Sequence, residues 1–156
     1  MMQRLAWIGI LAGAAGGAVA IGLMEAFATR AAFPVMSIPF ATSIVLVMGS
    51  PEIEAAQPRA LIGGHLLSAL VGLLVVKIAG PAPWAAALAV GLAMLAMHLT
   101  RTFHPPAGID PLLIVIGDMP WSFLAVPVAA GAVLLALFAY CWHRTTGRNS
   151  WPSRWW

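Results

Sequence analysis

Four long apolar runs constrain what this chain can fold into. They cover positions 5–24, 60–78, 84–100 and 121–142. About 20 mostly apolar residues in a helix cross the hydrocarbon core of a bilayer, and each run approaches or reaches that length. Backbone N–H and C=O groups cannot stay unpaired in lipid, so apolar runs of this length are expected to be helical. The sequence therefore predicts an all-α polytopic membrane protein with four transmembrane helices.

The composition agrees with a membrane protein. Charged residues make up 8% of the 156 residues, whereas an ordinary soluble domain carries about 25%, and the mean hydropathy is +0.93. The eight Lys and Arg residues are scattered without forming a basic stripe, so a nucleic-acid partner is not expected. The run from Leu5 to Met24 exceeds the roughly 7–15 apolar residues of a signal peptide and is interpreted as the first span. The lipid bilayer is the expected partner of most of the surface.

Two short segments, 34–49 and 104–117, lie between the long runs and are broken by prolines. Proline interrupts helices, so each segment yields a helical piece too short to span a bilayer alone. Each half of the chain thus reads as a long span, a broken short helix and a second long span. Short, broken segments at matching positions of two halves point to a transport site. We predict two similar halves, each with one short re-entrant or broken helix.

The positions of the charged residues suggest the domain boundary and leave two possible membrane topologies. Residues 1–143 are predicted to form the transmembrane domain, and residues 144–156 a short polar tail in the cytoplasm or at the interface. If both short segments are re-entrant, the chain crosses four times, and Arg59 and Arg101 lie on the opposite side from Arg154. If both segments cross, there are six crossings and all three arginines share a side. Both schemes put the termini in the cytoplasm of a protein of the cell (inner) membrane. We favour four spans because each short helix covers only about half a bilayer.

The segment around His104 is the first candidate for chemistry. Pro105 and Pro106 suit the start of a helix, and His104, which precedes a proline, is expected to be extended. His104 then lies just outside a half-helix whose amides, from Ala107 and Gly108 onward, point back toward it. A buried helix N-terminus of this kind suits a small anion. The alternative is that the prolines only shape a corner where helices pack.

Four further residues could line the same cavity. Thr42 and Ser43, in the first broken segment, could add hydroxyl donors. Arg59 could hold a planar oxyanion through two N–H groups, or it could anchor at the lipid headgroups. His65 follows Arg59 by about two helical turns and is also a candidate. These four residues, the segment 104–108 and Asp110 are the candidate substrate-binding residues.

Asp110 falls in the first turn of the second half-helix, where a carboxylate interacts favourably with the helix dipole. Its charge would repel an anion, so we expect it to pair with Arg59 or Arg101, or to bind a proton and couple proton movement to transport. The alternative is an interfacial residue that only caps the helix.

Motifs for enzymes and metal sites are absent from the sequence. There is no nucleophile elbow, phosphate loop or HExxH motif, so we do not expect an enzyme. Cys141 is the single cysteine and cannot form a disulfide within the chain. His65, His98 and His104 show no i,i+4 spacing, and no cysteine or carboxylate completes a set of ligands, so neither a metal nor another cofactor is expected.

Small residues in the first span suggest close helix packing. Gly9, Gly13 and Gly17 share one helix face, which lets two membrane helices approach closely, either within the monomer or between copies. Four spans are few to enclose a transport pathway. A homo-oligomer is therefore expected.

Four motifs in order resemble one known family. They are Phe-Ala-Thr-Ser at 40–43, Gln-Pro-Arg at 57–59, Gly-Gly-His at 63–65 and Phe-His-Pro-Pro-Ala-Gly at 103–108. Together they resemble the HPP family of small integral membrane proteins. The resemblance implies four transmembrane helices, and plastid and cyanobacterial members are implicated in nitrite transport. Members commonly continue after Pro-Pro-Ala-Gly with small uncharged residues, whereas this chain has Ile-Asp-Pro at 109–111.

The leading hypothesis is a membrane transporter or channel for a small inorganic anion, with nitrite as one candidate and Asp110 or His104 handling a proton. A proton-coupled cation or metal carrier, with Asp110 as a ligand, is the first alternative. A non-transporting scaffold or regulatory component is the second. A transporter requires water to reach His104 and Asp110, whereas a scaffold would keep both dry and paired.

Overall fold

The computed structural model describes residues 2–31, 37–147 and 151–155. The predictions that rest on Pro34 and Arg148 lie outside these residues. The described chain contains helices and turns and no strand, which confirms the all-α class. Its α-helices are α1 Met2–Ala31, α2 Ala41–Gly49, α3 Pro58–Ala79, α4 Pro83–Leu99, α5 Ile109–Ile116 and α6 Ala130–Thr145.

The predicted two-part pattern is present. In each half a 3-10 turn precedes the short helix: Ile38–Phe40 before α2 and Pro105–Gly108 before α5. Each turn has a proline in its first two positions, where the missing N–H of proline leaves no hydrogen bond unmade. A third 3-10 turn, Glu54–Ala56, leads into α3. The two short, broken helices are thereby confirmed.

Within the described residues, three helical stretches are long and apolar enough to cross a membrane: Trp7–Arg30, Pro58–Ala79 and Leu124–Thr145. The last begins with a π-helical turn, Leu124–Ala129, that contains Pro127 and leads into α6. Helix α4 has 17 residues, which corresponds to about 25 Å at 1.5 Å per residue, slightly less than the roughly 30 Å of the hydrocarbon core. The count of four spans therefore stays a prediction.

Helix α3 is the central helix, packed against α4, α5 and α6. Glycines allow its close contact with the second broken segment. A Cβ at Gly64 would lie 2.7 Å from the Cβ of His104, and a Cβ at Gly72 would lie 2.7 Å from the Cα of Pro111. Both positions thus require a residue without a side chain. This close approach brings His104 and α5 against the middle of α3.

The same contacts give the direction of the second broken segment. It starts with His104 beside Gly64 and reaches Pro111 beside Gly72, so it runs parallel to α3. From Pro111, helix α5 continues to Ile116 in the same direction, toward the C-terminal end of α3. The segment therefore enters at one end of the helical bundle and leaves at the other.

The first broken segment also runs from end to end. Ile44 lies beside Gly17 and the carbonyl of Met48 lies beside Gly13, so α2 runs antiparallel to α1. Gly13 is 18 residues before Ala31 in α1, a separation of about 27 Å. A re-entrant segment would return to the Ala31 end. The directions of both segments match the crossing alternative.

The glycine face of α1 lies against α2 within the monomer. A Cβ at Gly13 would lie 2.7 Å from the carbonyl oxygen of Met48, and one at Gly16 would lie 2.5 Å from the indole nitrogen of Trp142. The Trp142 Nε1–H donates to the carbonyl of Ala12 at 3.0 Å. Small residues on α1 therefore serve to pack α2 and α6, while an oligomer interface stays a prediction.

Candidate functional site

Four polar side chains meet in the interior beside α3. They come from α2, α3, the turn before α5, and α5 itself, and each is 0% exposed: Ser43, His65, His104 and Asp110. Polar side chains buried in this way require hydrogen-bond partners. All four were candidate site residues from the sequence, and the fold brings them together.

Hydrogen bonds join the four side chains into one continuous chain. Asp110 Oδ2 lies 2.8 Å from His65 Nδ1, and His65 Nε2 lies 2.8 Å from Ser43 Oγ. Ser43 Oγ is also 2.9 Å from His104 Nε2, and His104 Nδ1 lies 2.6 Å from the carbonyl oxygen of Ala55. We call Asp110, His65, Ser43 and His104 the polar chain.

The donors and acceptors in the polar chain follow from the hydrogen bond between His104 and the carbonyl of Ala55, whose direction is fixed. A carbonyl oxygen only accepts, so His104 Nδ1–H donates to Ala55. With His104 neutral, its Nε2 accepts from the Ser43 hydroxyl. Ser43 has a single hydrogen, so its oxygen accepts from His65 Nε2–H. One hydrogen then remains to be shared between His65 Nδ1 and Asp110 Oδ2.

A second arrangement with the same number of hydrogens is available. If the shared hydrogen moves to His65, the Nε2 hydrogen of His65 to Ser43, and the Ser43 hydrogen to His104, the three hydrogen bonds within the polar chain reverse their direction. His104 Nδ1–H still donates to the carbonyl of Ala55. The result is an anionic Asp110 and a cationic His104. The two arrangements contain the same number of hydrogens and differ in which end of the polar chain holds one proton.

Asp110 has one oxygen that takes no part in the polar chain. Its Oδ1 is buried and has no hydrogen-bond partner among the described residues. The partner of the carboxyl group is therefore His65, and the expected pairing with Arg59 or Arg101 is wrong. The reason is geometric: α5 runs along the middle of α3, where His65 lies, while both arginines lie at helix ends.

The turn before α5 supports the site through its backbone. Pro105 and Pro106 begin it, as expected, and Gly108 is the residue that precedes α5. The N–H of Ala107 donates to the carbonyl of His104 at 3.0 Å. The carbonyl of Ala107 accepts a 2.7 Å hydrogen bond from Ser68 Oγ. The Ala107 amide, predicted to face an anion, is thus already paired within the turn.

Two predicted site residues lie apart from the polar chain. Thr42 faces outward and is exposed, whereas its neighbour Ser43 faces inward. Arg59 lies at the start of α3, where its Nη2 donates to the carbonyl of Thr100 at 3.0 Å.

A small polar pocket lies where α3 begins and α4 ends. Its volume is about 130 Å³, and its lining consists of Glu54, Gln57, Arg59, Ala60, Arg101 and Arg154. The turn Glu54–Ala56 separates it from the polar chain, because the middle residue of that turn accepts the hydrogen bond from His104. We call it the entrance pocket.

Sequence reasoning missed three residues near these sites. Arg101 and Arg154 line the entrance pocket, whereas the sequence suggested Arg101 only as an orientation charge or a partner of Asp110, and Arg154 only as an orientation charge or anchor. His143, on α6, is buried, and its Nε2–H donates to the carbonyl of Val47 at 3.0 Å. The sequence signal for His143 was its position directly before Arg144, at the end of the last apolar run.

The polar chain includes the atom pairing of a Ser-His-Asp catalytic triad. However, Ser43 Oγ is also bonded to His104, and it is completely buried. Both histidines direct Nε2 at Ser43, so those nitrogens are occupied. Among the described residues no group of three or more His, Cys, Asp or Glu is placed to hold a metal ion.

Fold and site together define a polytopic helical membrane protein with a chain of ionisable residues in its interior. The family model described as "HPP, transmembrane region" matches residues 2–152. The chain therefore belongs to the HPP transmembrane family, as its motifs suggested.

Two transmembrane proteins of Dictyostelium discoideum are similar to this chain. They are 37% identical over 125 residues and 38% identical over 126 residues, in each case covering 75% of this chain. The matched region spans 40% and 44% of the length of these relatives. No solved structure matches the chain.

Proposed function

We propose that this protein is a proton-coupled transporter of a small inorganic anion. The observation that carries the proposal is the polar chain from Asp110 to His104. Ionisable residues inside a membrane protein are costly, and connected Asp and His side chains are typical of proton pathways in transporters. Their hydrogen-bond directions allow a proton to move between the two ends.

The entrance pocket supports an anionic substrate. It contains three arginines and one glutamate, so its formal charge is three minus one, or two positive charges. It lies against the turn that receives the hydrogen bond from His104. An anion attracted there would be next to the end of the polar chain to which a proton can be transferred, and nitrite is the first anion to test because of the family resemblance.

The full burial of the polar chain corresponds, in this proposal, to a closed state. A scaffold would also keep Asp110 and His104 dry and paired. Yet buried ionic groups can often be replaced by well-packed apolar side chains without loss of stability, so a scaffold has no need of them. Alternating exposure of the polar chain to the two sides would let it take up and release a proton.

Further parts of the proposal concern the whole protein. It acts without enzymatic chemistry, resides in the cell (inner) membrane with both termini in the cytoplasm, and works as a homo-oligomer. Its helices are too few to enclose a wide pathway alone. The mass of the purified protein in nanodiscs, measured by light scattering, tests the oligomer.

Anion flux into proteoliposomes tests the function. Uptake of nitrite, nitrate, formate and chloride is measured with and without an inward proton gradient. We expect saturable nitrite uptake that the gradient accelerates. Asp110→Asn keeps the shape but changes the proton capacity, and we expect it to lower gradient-driven uptake by about tenfold or more.

Asp118→Asn is the matched control because Asp118 is exposed in the turn after α5, and it should transport like the unchanged protein. Folding of each variant is checked by circular dichroism and gel filtration. Absence of anion flux from the correctly folded, unchanged protein would contradict the proposal and favour the scaffold. Gradient-driven flux of a divalent cation would favour the carrier of cations.

A further inference from the structure

We propose that the entrance pocket is a selective binding site for one small oxyanion, assembled from Arg59, Arg101 and Arg154. The proposal rests on the proposed function and deepens it, since it names the place and residues where the substrate is selected before it meets the polar chain. The three guanidinium groups come from the start of α3, the end of α4 and the C-terminal segment.

Arg101 occupies a backbone position that normally belongs to glycine. Its φ is 57°, and it follows α4 at a place where the N–H of Thr102 donates to the carbonyl of Met97 at 2.9 Å. Glycine is the usual residue in such a left-handed helix cap, because a Cβ is unfavourable there. An arginine at this position lowers backbone stability while supplying a guanidinium group to the pocket.

Arg154 is brought to the pocket by a docked C-terminal segment. Trp151 is 2% exposed, and its indole N–H donates to the carbonyl of Ala56 at 3.3 Å. The N–H of Ser153 donates to the side-chain oxygen of Gln57 at 2.9 Å. These contacts hold residues 151–155 against the turn before α3, so the position of Arg154 is built into the fold.

The acidic partner of Arg154 in the pocket is a weak competitor for an anion. Glu54 lies 3.4 Å from Arg154, and their side chains are 77% and 63% exposed. An ion pair as exposed as this is weak because water screens it. An anion that contacts Arg154 competes with a weak partner, and Arg59 and Arg101 add two further positive charges.

The small volume of the pocket and the shape of its guanidinium groups favour a small oxyanion. A water molecule takes about 30 Å³ in the liquid, so a pocket of about 130 Å³ holds roughly four such groups. Nitrite, nitrate, formate and bicarbonate meet this limit. Guanidinium groups bind two oxygens of a planar anion at once, which favours these anions over the spherical chloride ion.

Equilibrium binding to the full-length protein in nanodiscs tests the site without requiring transport. Nitrite and chloride are titrated separately by calorimetry. We expect saturable nitrite binding, with chloride at least about tenfold weaker, and about tenfold or greater loss of nitrite affinity in Arg101→Gly and in Arg154→Gln. Arg144→Gln is the control: Arg144 lies over the ring of Tyr140 and does not line the pocket.

Arg101→Gly distinguishes a loss of nitrite affinity from a loss of stability, because glycine suits the backbone conformation at this position. Its melting temperature should equal or exceed that of the unchanged protein while its nitrite affinity falls. Unchanged nitrite affinity in Arg101→Gly, equal affinity for chloride and nitrite, or no saturable binding by the unchanged protein would each overturn the site. Saturable nitrite binding without flux would support the binding site and contradict transport. Nitrite flux together with unchanged nitrite binding in Arg101→Gly would support transport and contradict the binding site.

Discussion

Ser43 joins the two histidines at the centre of the polar chain. Its hydroxyl group donates one hydrogen bond and accepts another, and it can exchange these roles when the direction of the chain reverses. An alanine can do neither, and among the described residues no hydrogen bond joins His65 directly to His104. Proton transfer between Asp110 and His104 therefore depends on this one hydroxyl.

Ser43→Ala is predicted to abolish proton-driven uptake and to lower the free energy of unfolding by about 1–3 kcal/mol, because it leaves buried imidazole nitrogens without a partner. Ser43→Thr retains the hydroxyl and should keep part of the uptake. Thr42→Ala, on the exposed face of the same helix, is the control and should change neither quantity. Flux assays with thermal unfolding measure both, and normal gradient-driven uptake by Ser43→Ala would show that the polar chain carries no proton.

The sequence allowed the members of the polar chain to be chosen but not their pairing. Asp110 stood out as a carboxylate between apolar runs, yet its partner depends on the register of α5 along α3. Thr42 and Ser43 were chosen together because their hydroxyls are alike. Which of two adjacent residues faces inward depends on the packing of α2 against α1 and α6, which sequence periodicity in so short a helix does not determine.

At the scale of elements, glycines on α3 set the register that aligns the polar chain. Gly64 and Gly72 are two helical turns apart and contact the beginning and the middle of the second broken segment. The proline turn then fixes the direction in which His104 enters. The contact of Gly72 with Pro111 could not be predicted from the sequence, because it depends on the register of the second broken segment along α3.

Alanine at Gly64 is predicted to destabilise the protein by about 1–3 kcal/mol, since the new Cβ must displace neighbouring atoms in a packed interior. That Cβ would lie 2.9 Å from the backbone carbonyl oxygen of Thr102, an atom that cannot move without moving the turn. The shift would also separate His104 from Ser43, so nitrite uptake should fall with stability.

Gly91→Ala is the matched control, because a Cβ at this position in α4 meets nothing within 4 Å. It should be neutral or stabilising by up to about 1 kcal/mol, as expected for alanine in a helix. Thermal unfolding followed by circular dichroism compares the two variants. Equal melting temperatures would mean that the segment from Thr102 to His104 does not pack on α3 through this glycine.

At the scale of the whole molecule, the arginines indicate how the bundle lies in the membrane. Arg59, Arg101 and Arg154 line one pocket and therefore share one end of the bundle. The re-entrant scheme separates Arg154 from the other two, whereas the crossing scheme brings them together. Positive charges concentrate on the cytoplasmic side of membrane proteins, so this end is expected to be cytoplasmic.

Cysteine labelling from the two sides of the membrane tests this arrangement. In a Cys141→Ala background, Ser50→Cys and Asp118→Cys follow α2 and α5, respectively. If both short segments are re-entrant, the two cysteines lie on the same side. Because α2 runs antiparallel to α1 and α5 runs parallel to α3, we expect them on opposite sides. Thr146→Cys, after α6, provides the reference and should be labelled from the same side as Ser50→Cys. Labelling of Ser50→Cys and Asp118→Cys from one side would contradict the end-to-end path of the broken segments and restore the four-span scheme.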